Sequence, residues 1–297
     1  MGSVTGKSKD NYAATVRLKS IGVMVVLILL AVICLLPIYI LAVNATRTST
    51  DIINNGVQLI PGKYLIANIK ETSHLNEIGQ IHYSAIRGYL NSGIITVVAT
   101  FFSVFFSSLT AYGLVVYDFK ASTAAYTMIL AVMMVPVQVT SVGFVNFMAQ
   151  LKLTDTYWPL VLPAIAAPPI VFYMRQYMKS SFPLDIVEAA RIDGSAEFRT
   201  FLTIGIPLMK PAIGVQAIFA FIANWNNFYT PSMILISRNE KQLTMPMMVQ
   251  SILTNDKLSD MGVRYTSIFL SIVPVIIVYC LLSRTIVDGV AEGGVKE

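Results

Sequence analysis

Charge is scarce in this sequence. Asp, Glu, Lys and Arg make up 12% of its 297 residues, against 55% hydrophobic residues. A soluble domain carries about 25% charged residues. That shortfall, with long uncharged apolar runs, excludes an ordinary soluble domain and makes the chain an integral membrane protein. Cysteine is nearly absent. Cys34 and Cys280 stand alone inside apolar runs, which excludes a disulfide framework and any zinc spacing. The two histidines, His74 and His82, are eight residues apart in one polar segment and form no metal pattern. No H-E-x-x-H, G-x-S-x-G or C-x-x-C occurs, so no catalytic constellation is visible. Gly2 to Ser8 approaches a phosphate-binding loop but is one residue short, with no strand before it. The same stretch misses the myristoylation pattern, because Gly6 stands where Ser or Thr is needed. No cluster interleaves aromatics with Lys and Arg, so nucleic acid is not a partner. The formal charge of +5 reads as positively charged cytoplasmic segments.

What is present is six hydrophobic segments, at 21–43, 89–117, 123–148, 157–177, 208–230 and 265–283. Each can cross a hydrocarbon core of about 30 Å at about 1.5 Å per residue. The first is too long for a signal-peptide core and reads as a retained span. None holds an acid or base except near an end, as Arg175 does. Residues 1–20 then form a tail, 44–88 a long outer loop, 89–284 a five-span core and 285–297 a second tail. Lys7, Lys9, Arg17 and Lys19 mark the first tail as cytoplasmic. Six spans return the C-terminus to the same side, with 12 Lys and Arg on cytoplasmic segments against nine outside. Asn44-Ala45-Thr46 is a formal glycosylation sequon that reads as a chance match.

Helix breakers and amides interrupt the apolar runs. Pro136 and Gln138 fall near the middle of the third span, and Pro163, Pro168 and Pro169 within the fourth. Proline removes a backbone hydrogen bond, and broken helices at mid-depth line many transport paths, although proline is also common in membrane helices for packing alone. The fifth span ends in Asn224-Trp225-Asn226-Asn227-Phe228-Tyr229. Trp and Tyr there suit interface anchors; alternatively, the amides face a cavity and bond a polar solute. Gln138, Asn224, Trp225 and Asn226 are the candidate path residues. No ionisable residue lies at mid-depth, where a proton-coupled transporter would need one.

The remaining polar stretch, Ser181 to Pro211, holds four acids and three bases between two apolar runs. Pro183 suits an early helical position and Ser181 its cap. Gly194 suits the left-handed end of that helix. Ser195 can cap a second helix, which Pro207 would stop or kink. The stretch reads as helix, glycine, helix on an aqueous face.

Glu188-Ala189-Ala190, then Gly194, then Ile204 and Pro207 resemble the E-A-A–x3–G–x9–I-x-L-P signature of ABC importer permeases, with Ile206 in place of the usual Leu. Asn91-Ser92, Ala111-Tyr112, Leu153-Thr154-Asp155-Thr156, Trp225-Asn226 and the terminal Gly293-Gly294-Val295-Lys296 are similar to the G-type permease subunit of maltose-like carbohydrate importers. The resemblance covers about 20–297. It implies an all-α type I importer permease fold of six transmembrane helices, in a bacterial or archaeal cell (inner) membrane.

It further implies that the loop 181–207 docks as a coupling helix on a cytoplasmic ATPase. Leu184, Val187 and Ile192 would then be apolar anchors, Ala189 and Ala190 the close seat, Glu188 and Asp193 the ion-pairing groups, and Gly194 the bend. ATP and Mg would be bound by two ATPase subunits, as a homodimer or heterodimer, and not by this chain. The other implied partners are a second related permease subunit, membrane lipid, and an extracellular or periplasmic solute-binding protein. That binding protein would be met by 231–264 around Met245 and Pro246. The chain is then a transport subunit and not an enzyme, forming half of a path for a sugar or oligosaccharide. Alternatives are a permease for another solute, a stand-alone channel or secondary transporter, and a membrane enzyme.

Overall fold

The structure, a computed structural model, describes residues 4–74, 84–237, 241–255 and 260–294. The side chains of 4–15, 18, 73, 74 and 283–294 lie outside that description, as do His82 and the last three residues. The described residues are helical, with no strand. In chain order the helices are α1 Val4–Ala45, α2 Ser49–Asn55, α3 Leu65–His74, α4 Ala85–Val116, α5 Ser122–Met133, α6 Val137–Gln150, α7 Trp158–Val161, α8 Pro168–Ser181, α9 Leu184–Ile192, α10 Glu197–Thr200, α11 Ile206–Leu208, α12 Lys210–Trp225, α13 Tyr229–Ile234, α14 Met245–Leu253 and α15 Met261–Gly294.

Four stretches are long and apolar enough to cross a membrane by themselves: Lys19–Ala45, Ala85–Val116, Trp158–Ser181 and Met261–Leu282. Two more arise only if a bent helix pair counts as one span. Those pairs are α5 with α6, bent by 96°, and Glu197–Leu208 with α12, bent by 80°. The expected third span, 123–148, is therefore two helices meeting at Met134-Val135-Pro136. Pro136 is the N-cap of α6 at φ −63° and ψ 131°, and this extended residue turns the chain. The expected fifth span, 208–230, is shorter at its C-terminal end. Pro207, expected to stop or kink this helix, lies in α11 one residue before its end, and an 80° bend follows directly. The break falls at Met209, and the helix then ends at Trp225, before Asn226. Prolines also shape the fourth span, where a 3-10 turn over Leu162–Ile165 separates α7 from α8.

The chain divides into two units, residues 1–72 with 257–269, and 73–256 with 270–297. In the first, the body of α1 has no buried residue in its apolar window. Its apolar side chains, from Val23 to Leu36, face outward from the chain, as a lipid-facing span requires. Its last turn is tied down. Asn68 Nδ2 donates to the carbonyls of Ala45 and Arg47, each at 2.9 Å, and Thr266 Oγ1 donates to Ala45 at 3.1 Å. The stretch 44–74 thus carries two helices where the sequence suggested an irregular loop. Asn44 is 3% exposed, which removes the sequon as an acceptor in this fold.

In the second unit α4 is the central helix, packed by α8, α12, α14 and the 3-10 turn. Its buried side is mostly small: Ser92, Thr96, Ala99, Ser103, Ser107, Ser108 and Ala111. Small residues let helix backbones approach closely where lipid supplies no hydrophobic drive between helices. Ser107 Oγ donates across that seam at 3.3 Å to the Ala167 carbonyl, which also accepts from the Ile170 and Val171 amides at the start of α8. Toward the C-terminal end of α4 the core turns aromatic. Tyr112, 1% exposed, packs edge-on against Phe182 and Phe201, with centroids 6.1 and 5.2 Å apart.

Candidate functional site: the 181–211 lever and a mid-chain cavity

The glycine of the polar stretch closes α9 with a left-handed residue. Gly194 has φ +78°, a conformation that costs other residues about 1–2 kcal/mol. The Ser195 amide donates to the Ala190 carbonyl and the Gly194 amide to the Arg191 carbonyl, both at 3.0 Å. These paired bonds are the Schellman closure, which satisfies two orphan carbonyls at once. Two capping expectations fail. Ser181 ends α8, and extended Pro183 is itself the N-cap of α9, with no side-chain cap. Ala196, not Ser195, is the N-cap of α10; Ser195 Oγ instead accepts from Thr200 Oγ1 at 2.9 Å.

The α9 helix has one inward face and one outward face. Val187 is 1% exposed and joins the core of Tyr112, Phe182 and Phe201. It anchors the lever to its own chain, so its expected role as a partner anchor is corrected. Leu184 and Ile186 are about half exposed, at 42% and 45%, and Ile192 is 87% exposed. Glu188, Ala189, Asp193 and Gly194 are also exposed, and Ala190 is half-buried. Ile186 and Phe198, 57% exposed, extend the same apolar surface; the sequence reading missed both, although apolar residues in a charged stretch were the available signal. Ile204 is half-buried and Pro207 exposed. Between α10 and α11 the chain forms one wide π-turn, Phe201–Gly205. A Cβ on Gly205 would lie 3.0 Å from Tyr112 Cε2, tighter than ordinary contact, so the glycine lets the turn rest closely on that ring.

An ion pair spans the glycine turn. Arg191 Nε donates to Glu197 Oε1 at 2.8 Å and Nη2 to Oε2 at 3.2 Å. Tyr117, just past the end of α4, donates to the same carboxylate at 2.7 Å. Hydrogen bonds from Arg191 first, then Tyr117, hold the Glu197 carboxyl below the usual carboxylate range. Burial first, then the bond to Glu197, push the Tyr117 phenol up to about 12.

A cavity of about 370 Å³ opens between α6, α7, the 3-10 turn, α12 and α13. Its polar lining is Thr140, Ser141, Asn224, Asn227, Tyr229 and Thr230, with no charged residue. Ser141 Oγ and Tyr229 OH are 2.9 Å apart, and Asn227 Oδ1 accepts from the Thr230 amide at 3.2 Å. Of the four candidate path residues, Asn224 lines this cavity. Gln138 and Asn226 are exposed and do not line it. Trp225 is 4% exposed, stacks near Tyr89 and Phe221, and donates to the Ser271 carbonyl at 2.9 Å. It is a core residue, neither a wall of this cavity nor an exposed anchor. Asn227, Ser141 and Tyr229 were missed, because a bend of 96° decides which residues of α6 meet α13.

Met245 is fully buried, its amide donating to Ser92 Oγ at 2.8 Å. Asn91 Nδ2 holds the strap before it, through the Lys241 and Leu243 carbonyls at 3.0 and 2.9 Å. Met245 therefore offers no contact surface to a binding protein, while Pro246 beside it is half-buried.

Broken apolar spans around an uncharged cavity, with an exposed glycine-hinged helix between two of them, define a multi-pass transport subunit. The chain belongs to the family of binding-protein-dependent transport system inner membrane components, whose pattern matches residues 103–292. It is 33% identical over 90% of its length to the arabinooligosaccharides transport system permease protein AraQ of Bacillus subtilis, covering 92% of that protein. It is 29% identical to the lactose transport system permease protein LacG of Rhizobium radiobacter, over 91% of this chain and 94% of that one. Among solved structures, a bacterial ABC transporter involved in the import of the acidic polysaccharide alginate has a chain of the same fold. The TM-score is 0.75 at 22% identity, with 90% of this chain and 96% of that one covered. The chain is an all-α, multi-pass membrane permease of the ABC importer type.

Proposed function

We propose that this chain forms half of the translocation path for a neutral sugar or oligosaccharide, and that α9 couples the path to a cytoplasmic ATPase. The observation that carries the coupling role is the outward face of α9. Leu184, Ile186 and Ile192 are exposed beside Glu188 and Asp193, on a helix pinned from behind by Val187 and closed by Gly194. An apolar patch with a charged rim is the anatomy of a protein interface. Two ATPase subunits, identical or different, hold ATP and Mg and supply the energy. A second related permease completes the path, and a solute-binding protein delivers the sugar from outside. Both tails then face the cytoplasm, on the side of α9.

Closure of the ATPases would move α9. Val187 and the Arg191–Glu197–Tyr117 cluster would carry that motion to the end of α4, and the π-turn to α12. The sugar assignment rests on the cavity. Hydroxyls and amides without a charge suit a polyhydroxylated neutral solute, since buried polar groups need partners; an anionic solute would call for Arg or Lys. Transport relatives named for arabinooligosaccharides and lactose fit that class, whereas others are named for sn-glycerol-3-phosphate. Reconstitution with the partner subunits, followed by uptake of a carbohydrate panel, tests it. Uptake of neutral sugars that outcompetes uronate or phosphorylated ones supports the reading; preference for the anionic solutes refutes it.

A further inference from the structure

Beside the lever, α4, α5, α8 and the start of α9 enclose a second cleft of about 490 Å³. Its floor is apolar, with Leu114, Val115 and Met178 among the lining residues. Arg175, Lys179 and Asp118 bring the charge. The two cations are four residues apart, one turn along α8, and so share a face. The Arg175 guanidinium lies over the Tyr126 ring, its Cζ 3.7 Å from the centroid. Its Nε is buried without a hydrogen-bond partner. Neither cation forms an ion pair with Asp118 or another described residue.

We propose that this cleft binds one anionic phospholipid, its phosphate at Arg175 and Lys179 and its acyl chain along the apolar floor. Depth supports the assignment. Val115 is in the last turn of Ala85–Val116 and Lys179 in the last turn of Trp158–Ser181. Two spans that pack side by side end here on one membrane face, at headgroup level. Charge supports it too. Two cations against one acid leave a single positive charge, which matches a phosphodiester bearing one negative charge. A zwitterionic headgroup leaves that charge unmatched. The Arg175 Nε–H beside the cleft is a buried donor left unsatisfied, as few buried donors are. Leu184, which opens α9, lines the cleft on its headgroup side, so the lipid sits against the base of the lever.

The test uses the full-length chain, purified with its partner subunits and delipidated, followed by native mass spectrometry with added lipid. Phosphatidylglycerol is expected to remain bound where phosphatidylethanolamine of the same chains does not. Lys179→Gln, an exposed position that does not challenge folding, is expected to weaken phosphatidylglycerol about fivefold, the worth of one basic residue near an anionic headgroup. Asp118→Asn, which removes the opposing charge, is expected to strengthen it. Glycerol phosphate, a headgroup without chains, is expected not to displace the lipid. Equal retention in Lys179→Gln, or equal binding of the zwitterionic lipid, overturns the proposal. Displacement by glycerol phosphate alone makes the cleft a small-anion site instead. Loss of the ATPase from Lys179→Gln, with lipid unchanged, reassigns the cleft to protein docking.

Discussion

Arg191 and Glu197 meet across the Gly194 turn in a two-bond fork of 2.8 and 3.2 Å, and Tyr117 completes the carboxylate's shell at 2.7 Å. The fork closes α9 onto α10, and the tyrosine ties both to the end of α4. The Glu197 carboxyl is lowered from its ordinary value of 4.5. Its contribution is therefore present above that value and lost as pH falls through the lowered one. The Tyr117 phenol, raised from 10.0 to about 12, contributes fully below its ordinary value and loses that contribution as pH rises through about 12. Glu197→Gln is expected to insert normally, to flatten the acid limb and to reduce solute-stimulated ATP hydrolysis. Thermal unfolding against pH, with hydrolysis assayed alongside, checks it; an unchanged acid limb refutes the linkage.

Gly194 separates backbone need from bulk. No atom lies within 4 Å of a Cβ placed there, yet φ is +78°. Gly194→Asn, which tolerates the left-handed region, is expected to retain more coupling than Gly194→Val, which carries the conformational cost of about 1–2 kcal/mol. Gly194→Trp is expected to fold and insert but to abolish solute-stimulated hydrolysis, because its ring occupies the seat of the partner. Normal stimulation in that variant refutes docking through α9.

Asn224→Ala and Asn227→Ala are expected to raise the KM for uptake about two- to tenfold each, the loss of one neutral hydrogen bond of about 0.5–1.5 kcal/mol. Asn226→Ala, on an exposed residue outside the cavity, is expected to leave KM unchanged. Uptake kinetics in proteoliposomes checks all three. If Asn226→Ala alone weakens uptake, the path runs along the other face of α12.

Gly205→Val is expected to lower stability by about 1–3 kcal/mol through overpacking, because its Cβ meets Tyr112 at 3.0 Å and Phe201 at 3.3 Å. Relaxation of Tyr112 would also disturb Tyr117, 6.3 Å away between ring centroids, and so weaken coupling. Gly205→Ala, with less to accommodate, should fall between the two. A Val variant with full stability and full coupling would show that the π-turn adjusts freely.

The sequence by itself determined the class, because scarce charge and long apolar runs leave a chain no medium but a bilayer. It also located the lever. The spacing from Glu188 to Gly194 to Pro207 is local, and the left-handed glycine it pointed to is a property of a few adjacent residues. Tertiary structure decided which side chains of that lever face inward. Val187 and Ile192 are alike in composition, but only Val187 meets the core of Tyr112 and Phe201. It decided the cavity for the same reason. Proline announced a break near Pro136, but the angle of that break, and hence the meeting of Ser141 with Tyr229 across 88 residues, depends on contacts between segments far apart in sequence. Met245 shows the same limit. Its place in a polar loop suggested exposure, and the carbonyls held by Asn91 and the hydroxyl of Ser92 buried it.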